Sequence, residues 1–291
     1  MTSQPVRLYK IYYDEPSRAQ IAEPFIPLDN RSGPPGWFEM HPILTFLENN
    51  QLEDDTWYGF VSPKFLEKTG FSLQEVLDLL DRNPDAEVAL FSSRWMYLIW
   101  YENVWIQGEE YHPGLIERTE AFLETQGASA NLRDEIGDFR TSVTSNYIIA
   151  KKKFWIDWAR LARAYFDHVE NGGGATLDDA ETFYVGPSRY ALKTFIQERL
   201  ASCLLSRNDY AVVHPNYVQS AIPGLPQDKP ARMLRLLLGI THRCKTAARR
   251  KEWPGARMSF KLSRKLASIF HDRALRPYRD ATQGAEPGQF K

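Results

Sequence analysis

The amino-acid sequence predicts an α/β fold built on a parallel sheet, and residues 57–93 carry most of the evidence. The aromatic run 57–61 is bounded by polar and proline residues and has the composition of a strand. Ser72 and Glu75 have the spacing of a capping box, which predicts that a helix follows. The apolar run 88–91 then predicts a second strand, buried on both faces. A strand, a helix and a second strand form a βαβ unit, which indicates a parallel sheet.

Polar segments follow both of these strands. They are Ser62-Pro63-Lys64 and Ser92-Ser93-Arg94. Ligands of parallel sheets bind beyond the carboxyl ends of the strands. Hydroxyl groups beside a cation suit phosphate oxygens, so both segments are candidates for a phosphate site. Ordinary solvated loops would have the same composition, and this alternative stays open.

The remaining elements follow from apolar periodicity and from turn residues. Strands are predicted at residues 7–13, 147–150 and 211–215. Helices are predicted at residues 41–50, 95–107, 114–126, 151–168 and 187–206. The proline-rich stretch 22–42 is predicted to be a long irregular loop, and loops of that length are often functional.

The composition is that of a globular protein with a large core. Of the 291 residues, 43% are hydrophobic and 13% are aromatic. No apolar run approaches the roughly 20 residues that a membrane span needs. The first residues lack the pattern of a signal peptide, and the two cysteines, Cys203 and Cys244, form no disulfide framework or zinc motif. A reducing cytoplasm is the expected compartment.

The charge of the chain is unevenly distributed. Between Lys229 and Arg279 there are 15 Lys and Arg residues against two acidic residues, a balance of +13 in a chain of net charge −1. Residues 257–270 place an apolar side chain at every fourth position with cations between them, the pattern of an interfacial helix. We therefore predict a domain at 1–225 and a basic amphipathic helical extension at 226–291. A solvated or partner-facing helix is the open alternative.

Several blocks of the sequence, taken together, resemble a family. They are residues 8–13, 25–30, 58–65 with 68–70, 111–114 and 145–150. As a set, across about residues 7–215, they resemble bacterial glycosyltransferases that are encoded among genes for O-antigen, capsule and related surface polysaccharides. The resemblance is to glycosyltransferase family 111.

This resemblance implies a GT-A-like (Rossmann-like) fold, with a mixed, mainly parallel sheet flanked by helices. It also implies a hexosyltransferase that moves galactose from a UDP-linked donor to a lipid-linked surface glycan. The strand at 147–150 resembles the acceptor-side strand of GT-A enzymes, which a helix follows. Because such glycans are often built on polyprenyl diphosphate, the basic extension would hold the enzyme on the anionic inner membrane.

The sequence departs from many GT-A enzymes at the metal site. The nearest match to Asp-x-Asp is Asp85-Ala86-Glu87, which precedes the apolar strand and so lies at the wrong end of the sheet for a ligand. Ser92 and Ser93, which follow the strand, are poor metal ligands. We predict no metal ligands. Either the reaction proceeds without a metal, or Asp29 or another carboxylate supplies a site for Mn²⁺ or Mg²⁺.

Two residues are candidates for catalysis. Glu198 is the predicted base, because a carboxylate in an apolar helix face has its pKa raised towards neutrality. A salt bridge to Arg199 or to a lysine is the competing interpretation of Glu198. His214, at the end of a strand, is the second candidate.

A larger set is predicted to bind the nucleotide-sugar. Its members are Tyr13, Asp29, Asn30, Ser62, Lys64, Lys68, Ser92, Ser93, Asn146 and Lys153. The three lysines Lys64, Lys68 and Lys153 are the candidates to stabilise the leaving diphosphate. Lys153 also lies in a run of cations at a helix start, where the helix dipole favours an anionic neighbour.

Two other functions compete with catalysis. The basic extension could bind nucleic acid, although its cations are segregated from the aromatic-rich body and the chain has no known nucleic-acid motif, so no nucleic-acid partner is predicted. Alternatively, the chain could be a non-catalytic scaffold or binding protein of a polysaccharide assembly complex. The sequence leaves the donor sugar, the acceptor, the linkage, the stereochemical course and the oligomeric state open.

Overall fold

The computed structural model describes residues 4–92, 95–173, 181–183, 189–218 and 229–282. The chain divides into two compact units, Met1–Pro215 and Asn216–Lys291. The sequence analysis placed this division ten residues later, between residues 225 and 226. Each unit is described by itself below.

The first unit alternates strands and helices along most of its length. Its strands are β1 (Val6–Tyr12), β2 (Phe25–Asp29), β3 (Trp57–Val61), β4 (Val88–Leu90), β5 (Ile148–Ala150), β6 (Glu181–Phe183), β7 (Arg189–Ala191) and β8 (Val212–Val213). Its helices are α1 (Glu15–Ala19), α2 (Met40–Asn49), α3 (Phe65–Thr69), α4 (Leu73–Asp81), α5 (Trp95–Trp100), α6 (Val104–Tyr111), α7 (Leu115–Thr125), α8 (Lys152–His168), α9 (Leu192–Gln197) and α10 (Leu200–Arg207). A short kinked turn, Val169–Gly173, follows α8, and Asn171 and Gly172 within it have non-helical backbone angles.

Six strands form one mixed sheet in the order β2-β1-β3-β5-β4-β8, and β6 and β7 form a separate hairpin. Within the large sheet, β1 pairs in parallel with β2 and β3, and β4 pairs in parallel with β8. Strand β5 runs antiparallel to both of its neighbours, β3 and β4. The predicted α/β fold with a mixed, mainly parallel sheet and flanking helices is therefore confirmed.

One detail of the predicted βαβ unit is wrong. Strands β3 and β4 do run in the same direction, and α4 does connect them, but they are not neighbours. Strand β5 lies between them, with Ala150 opposite Tyr58 of β3 and Val88 of β4. The apolar runs correctly indicated burial on both faces, but burial alone does not identify which strand lies alongside.

Helices cover both faces of the sheet because both faces are apolar. On one face, the ring of Phe60 meets Trp155 of α8 edge-on at 4.8 Å between centroids, and the Trp155 indole donates a hydrogen bond to the Tyr58 carbonyl. On the other face, Val76 and Leu80 of α4 pack into a cluster of side chains from the sheet. Strand β3 is buried along its whole length and forms the centre of the core.

Gly59 lies in a tightly packed part of this core. A methyl group at this position would lie 2.8 Å from Leu8 Cδ2 and 3.0 Å from Ile149 Cγ1. We therefore expect Gly59→Ala to lower the free energy of unfolding by about 1–3 kcal/mol through overpacking, measured by urea denaturation. A denaturation midpoint equal to that of the wild type would contradict this account of the packing.

Several helices agree with the sequence analysis. The Ser72 hydroxyl accepts a hydrogen bond from the Glu75 backbone amide, and the Glu75 carboxylate accepts one from the Ser72 backbone amide. The predicted capping box therefore begins α4. Helices α2, α7 and α8 also lie within about two residues of their predicted positions.

Three elements differ from the prediction. The stretch 22–42 is not irregular throughout, because it contains β2, an edge strand that tolerates Pro27. The predicted helix 95–107 is divided into α5 and α6, and Asn103 caps the second of them through Ile106. The predicted helix 187–206 is also divided. In its described part, β7 comes first, and a turn at residues 198–199 separates α9 from α10.

The second unit contains two long helices, α11 (Lys229–Arg250) and α12 (Ala256–Thr282). Both basic helices were predicted, and they pack against each other as a hairpin. Leu234, Leu238 and Phe260 are fully buried between them, and the Lys245 ammonium lies over the Phe260 ring at 5.6 Å. Neither these helices nor any other in the described ranges combines the length and the apolar character needed to cross a membrane.

Candidate functional site

The candidate site lies at one edge of the six-stranded sheet. The carboxyl ends of β1, β2, β3, β4 and β8 share this edge, because these five strands are mutually parallel. Strand β5 runs the other way and therefore brings its amino end to the same edge. The predicted residues that follow or precede these strand ends are Tyr13, Asn30, Ser62, Ser92 and Asn146. The topology thus brings together residues that are far apart in the sequence.

Four side chains form the centre of the site. Tyr13 follows β1, Glu39 immediately precedes α2, Lys68 lies on α3, and Glu198 lies in the turn between α9 and α10. We call these four residues the two-glutamate site. The charges of Glu39 and Lys68 act on Glu198, whereas Glu39 is influenced by a hydrogen bond from Tyr13 and by the charge of Lys68. Two carboxyl groups, a phenol and an ammonium group therefore act on one another beyond the strand ends.

Glu198 has a strongly perturbed carboxyl group. Its pKa is raised to about 7, mainly through desolvation by the surrounding protein; the charges of Arg199 and Lys68 oppose this shift, and the charge of Glu39 adds to it. Its side chain nevertheless keeps 32% of its surface exposed. The carboxyl group is therefore surrounded by protein atoms and still in contact with solvent. The direction of this pKa shift is the one expected from the sequence, and the competing ion pair is present as a long contact, 3.8 Å, to the Arg199 guanidinium.

Glu39 and Tyr13 form the second half of the site. Burial raises the pKa of the Glu39 carboxyl, while a hydrogen bond from the Tyr13 hydroxyl and the charge of Lys68 oppose the shift. Burial and the neighbouring Glu39 together raise the pKa of Tyr13, so its phenol stays protonated and remains a hydrogen-bond donor. The Asn30 amide donates to the Phe38 carbonyl at 2.8 Å, which holds the end of β2 beside Glu39.

The carbonyl of Gly36 fixes the two glutamates relative to each other. It accepts hydrogen bonds from Thr194 Oγ1 at 3.0 Å and from Gln197 Nε2 at 2.8 Å. Gly36 precedes Glu39 by three residues, and Gln197 directly precedes Glu198. Gly36 itself adopts a left-handed φ of 79°, and a Cβ there would lie 2.9 Å from Lys193 Cε, so this junction requires glycine.

Arg199 anchors the turn that carries Glu198. Its guanidinium is buried and donates to the Val104 carbonyl at 3.1 Å, to the Phe195 carbonyl at 2.7 Å and to Gln107 Oε1 at 2.7 Å. These bonds tie the turn to α6 and to the end of α9. Because the guanidinium is committed to them, it remains a distant partner for the Glu198 carboxylate.

Two lysines stand at the mouth of the site. Lys64 and Lys68 follow β3, are exposed, and are one helical turn apart, with the Lys68 amide bonded to the Lys64 carbonyl at 2.8 Å. The Ser62 hydroxyl lies 3.4 Å from the Tyr147 hydroxyl, which couples the ends of β3 and β5. Exposed lysine side chains of this kind are free to follow a bound anion.

Lys153 is not brought to this edge. It follows the carboxyl end of β5, which lies at the opposite edge of the sheet, and its ammonium pairs with Glu87 at 2.8 Å. This pair supplies the anionic neighbour that the helix start was expected to have. Glu87 also accepts from the Ala211 amide at 2.9 Å, so the Asp85-Ala86-Glu87 segment serves the other end of β4.

Asp29 and His214 stand at strand ends of the same edge as the two-glutamate site, but the contacts described for them are with other residues. The guanidinium of Arg31 binds Asp29 on the outer edge strand and holds the pKa of its carboxyl well below the usual range. His214 follows β8, packs edge-on against Phe139 with ring centroids 5.2 Å apart, and its Nδ1 lies 2.8 Å from the Pro215 carbonyl. Burial lowers the pKa of His214, so the ring is neutral at pH 7.

Ser93 and Arg94 lie outside the described residues, whereas Ser92 is buried directly after β4. The sequence analysis did not single out two residues of this edge, Glu39 and Tyr147. The only signal for Glu39 was its position in the long loop 22–42, which was judged functional without choosing a residue. Tyr147 lay inside a block that was interpreted as a strand.

Among the described residues, no metal cluster adds to this site, and the pocket that they line lies elsewhere in the first unit. In the ranges that the structure describes, no three His, Cys, Asp or Glu side chains come together in an arrangement that could hold a metal ion. A pocket of about 530 Å³ lies between α2 and α8 and is lined by Leu47, Asn50, Gln51, Leu52, Lys152, Trp155, Ile156 and Ala159. None of these residues is a carboxylate or a predicted site residue, so the candidate catalytic groups remain those of the two-glutamate site.

Comparison with known proteins found no relative that has this arrangement. No protein-family model matches the chain, and neither the curated proteins nor the solved structures contain a match. The function therefore has to be argued from the site itself.

Proposed function

We propose that this protein is a glycosyltransferase that moves a hexose from a nucleotide-diphosphate sugar to a hydroxyl group of a lipid-linked surface glycan. The donor we propose is UDP-linked, with galactose as the sugar. One observation carries the proposal. Glu198 presents a carboxyl group with a pKa of about 7 on a side chain that is 32% exposed. We place the substrate recess beside this group, beyond the carboxyl ends of the parallel strands. A general base that is poised near neutrality has this environment, and ligands of α/β sheets bind at this edge.

In the proposed reaction, the Glu198 carboxylate accepts the proton of the acceptor hydroxyl. The acceptor oxygen attacks the anomeric carbon of the sugar and forms the new glycosidic bond. The bond between that carbon and the diphosphate oxygen breaks, and its electron pair leaves with the nucleoside diphosphate. Negative charge thus passes from the carboxylate to the leaving diphosphate, which is the group that needs stabilisation.

Lys68 is the cation best placed to stabilise the leaving group, because it is exposed and acts electrostatically on both glutamates. Lys64 lies one turn away and would contact the same diphosphate. Tyr13 and Asn30 lie at the ends of β1 and β2, where a GT-A-like domain would hold the nucleoside. Their hydroxyl and amide groups are suited to hydrogen bonds with a base or a ribose.

The arrangement of the sheet is compatible with the finer GT-A-like assignment that we propose. An antiparallel strand, β5, lies among parallel strands, and α8 follows it directly. The resemblance of residues 147–150 to the acceptor-side strand of GT-A enzymes assigns β5 the same role. On this assignment, Asn146 and Tyr147 would face the acceptor side of the recess.

Nucleotide titration tests this proposal directly. We expect UDP to raise the melting temperature of the protein, whereas GDP, CMP and dTDP have smaller effects, each measured with and without Mn²⁺. We expect Lys68→Met to weaken UDP binding by about tenfold, because one charge-assisted contact is lost. Lys153→Met is the matched control. It also removes a lysine near a strand end, but at the opposite edge of the sheet, so UDP affinity should stay unchanged.

Each outcome decides between the candidate functions. UDP stabilisation that depends on Lys68 supports the transferase, and the Mn²⁺ arm shows whether a metal contributes to binding. Equal losses in the two lysine variants would overturn the placement of the diphosphate. If no nucleotide stabilises the protein, the transferase proposal fails and a non-catalytic scaffold of a polysaccharide assembly complex replaces it.

A further inference from the structure

The helical hairpin of the second unit exposes an unusual amount of apolar surface. On α11, Met233, Leu236 and Ile240 are 42%, 58% and 41% exposed. On α12, the exposed fractions are 61% for Met258, 58% for Leu262, 51% for Leu266 and 43% for Ile269. These seven residues, which we call the apolar stripes, are not scattered. They repeat every three or four positions, so each set follows one line along its helix.

The two apolar stripes open to the same side of the hairpin. Each helix also has a row of buried side chains that faces the other helix, such as Leu234 and Leu238 on α11 and Phe260 and Ala267 on α12. At 100° per residue, the apolar stripe lies about 140° around the helix axis from this buried row, and the sense of rotation is the same on both helices. Because the two helices are joined as a hairpin and run in opposite directions, equal rotations bring both stripes to one side. The half-buried side chains of Leu237 and Phe270 lie between the stripes and the buried rows. The result is one broad apolar face.

Cations dominate the rest of the hairpin. From Lys229 to His271 the sequence has 12 Lys and Arg residues and one acidic residue, Glu252, a balance of +11. Lys265 on α12 and Arg243 on α11 are exposed close to the borders of the apolar face. Long basic side chains in such positions can extend their charged groups towards a surface on which the apolar face rests.

We propose that this face of the hairpin docks on an anionic lipid surface, with the apolar stripes among the acyl chains and the cations against the headgroups. Charge decides between this occupant and a second copy of the chain. A second copy would bring another +11 to the contact and repel the first, whereas acidic lipid headgroups neutralise it. The apolar face needs a partner that is both apolar and negatively charged, and an acidic bilayer is both. This inference does not depend on the proposed transferase activity.

Vesicle binding tests the proposal on the full-length protein. We expect co-sedimentation with vesicles of phosphatidylcholine mixed with phosphatidylglycerol, and much weaker binding to phosphatidylcholine alone. The double substitution Leu236→Gln and Leu262→Gln leaves the charge unchanged, and we expect it to weaken binding to the acidic vesicles by at least about tenfold. Ile156→Gln is the matched control, because Ile156 is 47% exposed on α8 of the other unit.

The other occupants give different results. Tight binding to duplex DNA that the Leu236 and Leu262 substitutions do not weaken, with no binding to acidic vesicles, would overturn the proposal in favour of a nucleic-acid partner. A dimer in light scattering that the same substitutions dissociate, again without vesicle binding, would assign the apolar face to a second copy. Vesicle binding that Ile156→Gln impairs as strongly would place the contact elsewhere.

Discussion

Replacing Glu198 by glutamine is expected to lower the turnover number of glycosyl transfer by about 10²–10⁴-fold, the usual contribution of a general base. Glutamine keeps the size and polarity of the side chain but cannot accept the acceptor proton. Because the recess and the lysines at its mouth are unchanged, UDP affinity should stay within about twofold of the wild-type value. Release of UDP from the donor, measured under saturating substrates, gives the turnover number. Glu67→Gln is the matched control, since Glu67 is an exposed glutamate next to Lys68.

The pH dependence separates a base from a residue that only supports the fold. Wild-type turnover should rise through a pKa of about 7 as Glu198 loses its proton, and the glutamine variant should lack this limb. Stability should change in the opposite direction. Folding raises the pKa of Glu198 from 4.5 to about 7, so its favourable contribution is complete below pH 4.5 and is lost as the pH rises through 7.

The Glu198→Gln variant cannot ionise at this position. The difference between its melting temperature and that of the wild type should therefore shift in favour of the variant as the pH rises from 4.5 to 7. A variant with full activity would show that Glu198 is not the base. A variant that loses UDP binding together with turnover would indicate a binding role instead.

Replacing Arg199 by methionine is expected to lower the free energy of unfolding by about 3–5 kcal/mol, among the largest effects of a single substitution. The guanidinium is 3% exposed, and its three hydrogen bonds join the turn at 198–199 to α6 and to α9. Methionine fills part of the volume but leaves the Val104 carbonyl and the Gln107 amide without this donor. Urea denaturation measures the loss, and a further rise in the pKa of Glu198 should accompany it, because the opposing positive charge is gone.

Arg160→Met provides the comparison for Arg199. The side chain of Arg160 is 76% exposed on α8, and its pairing with Asp157 is that of a surface ion pair. Its replacement should change stability by no more than about 0.5 kcal/mol. If both substitutions had similarly small effects, Arg199 would not anchor the turn, and the position of Glu198 would need another explanation.

Patterns of neighbouring residues predicted most helices and strands of this fold. The features that the sequence did not predict depend on contacts between residues far apart in the chain. The capping box of Ser72 and Glu75 and the apolar periodicity of α8 depend on residues within one or two turns, and both predictions are confirmed. The break at Glu198 had no such signal. The apolar period continues across α9 and α10 because both helices pack on the same core, while the bonds that shape the turn come from Val104 and Gln107, more than 90 residues away.

The same distinction explains which site residues could be found. Glu198 stood out because a carboxylate in an apolar stretch is informative by itself. Glu39 is a candidate site residue only because it interacts with Tyr13, Lys68 and Glu198, and these three residues come from other segments of the chain. Lys153 matched the local pattern of a phosphate-binding cation, but the reversed direction of β5 placed it at the far edge of the sheet, beside Glu87.

That reversed strand also has a consequence for how the chain folds. Strands β2, β1 and β3 all come from the first 61 residues and can pair as soon as that segment exists, whereas β4 and β8 pair only with each other and with β5. In the described chain, β5 is thus the one strand of this sheet that pairs with both parts. Its three residues also lie more than 55 residues beyond β4, so closing the sheet requires a large loop. Loop closure of this length slows folding, and β8 lies farther still along the chain from β4, so we expect β2, β1 and β3 to pair first and β8 to join the sheet last.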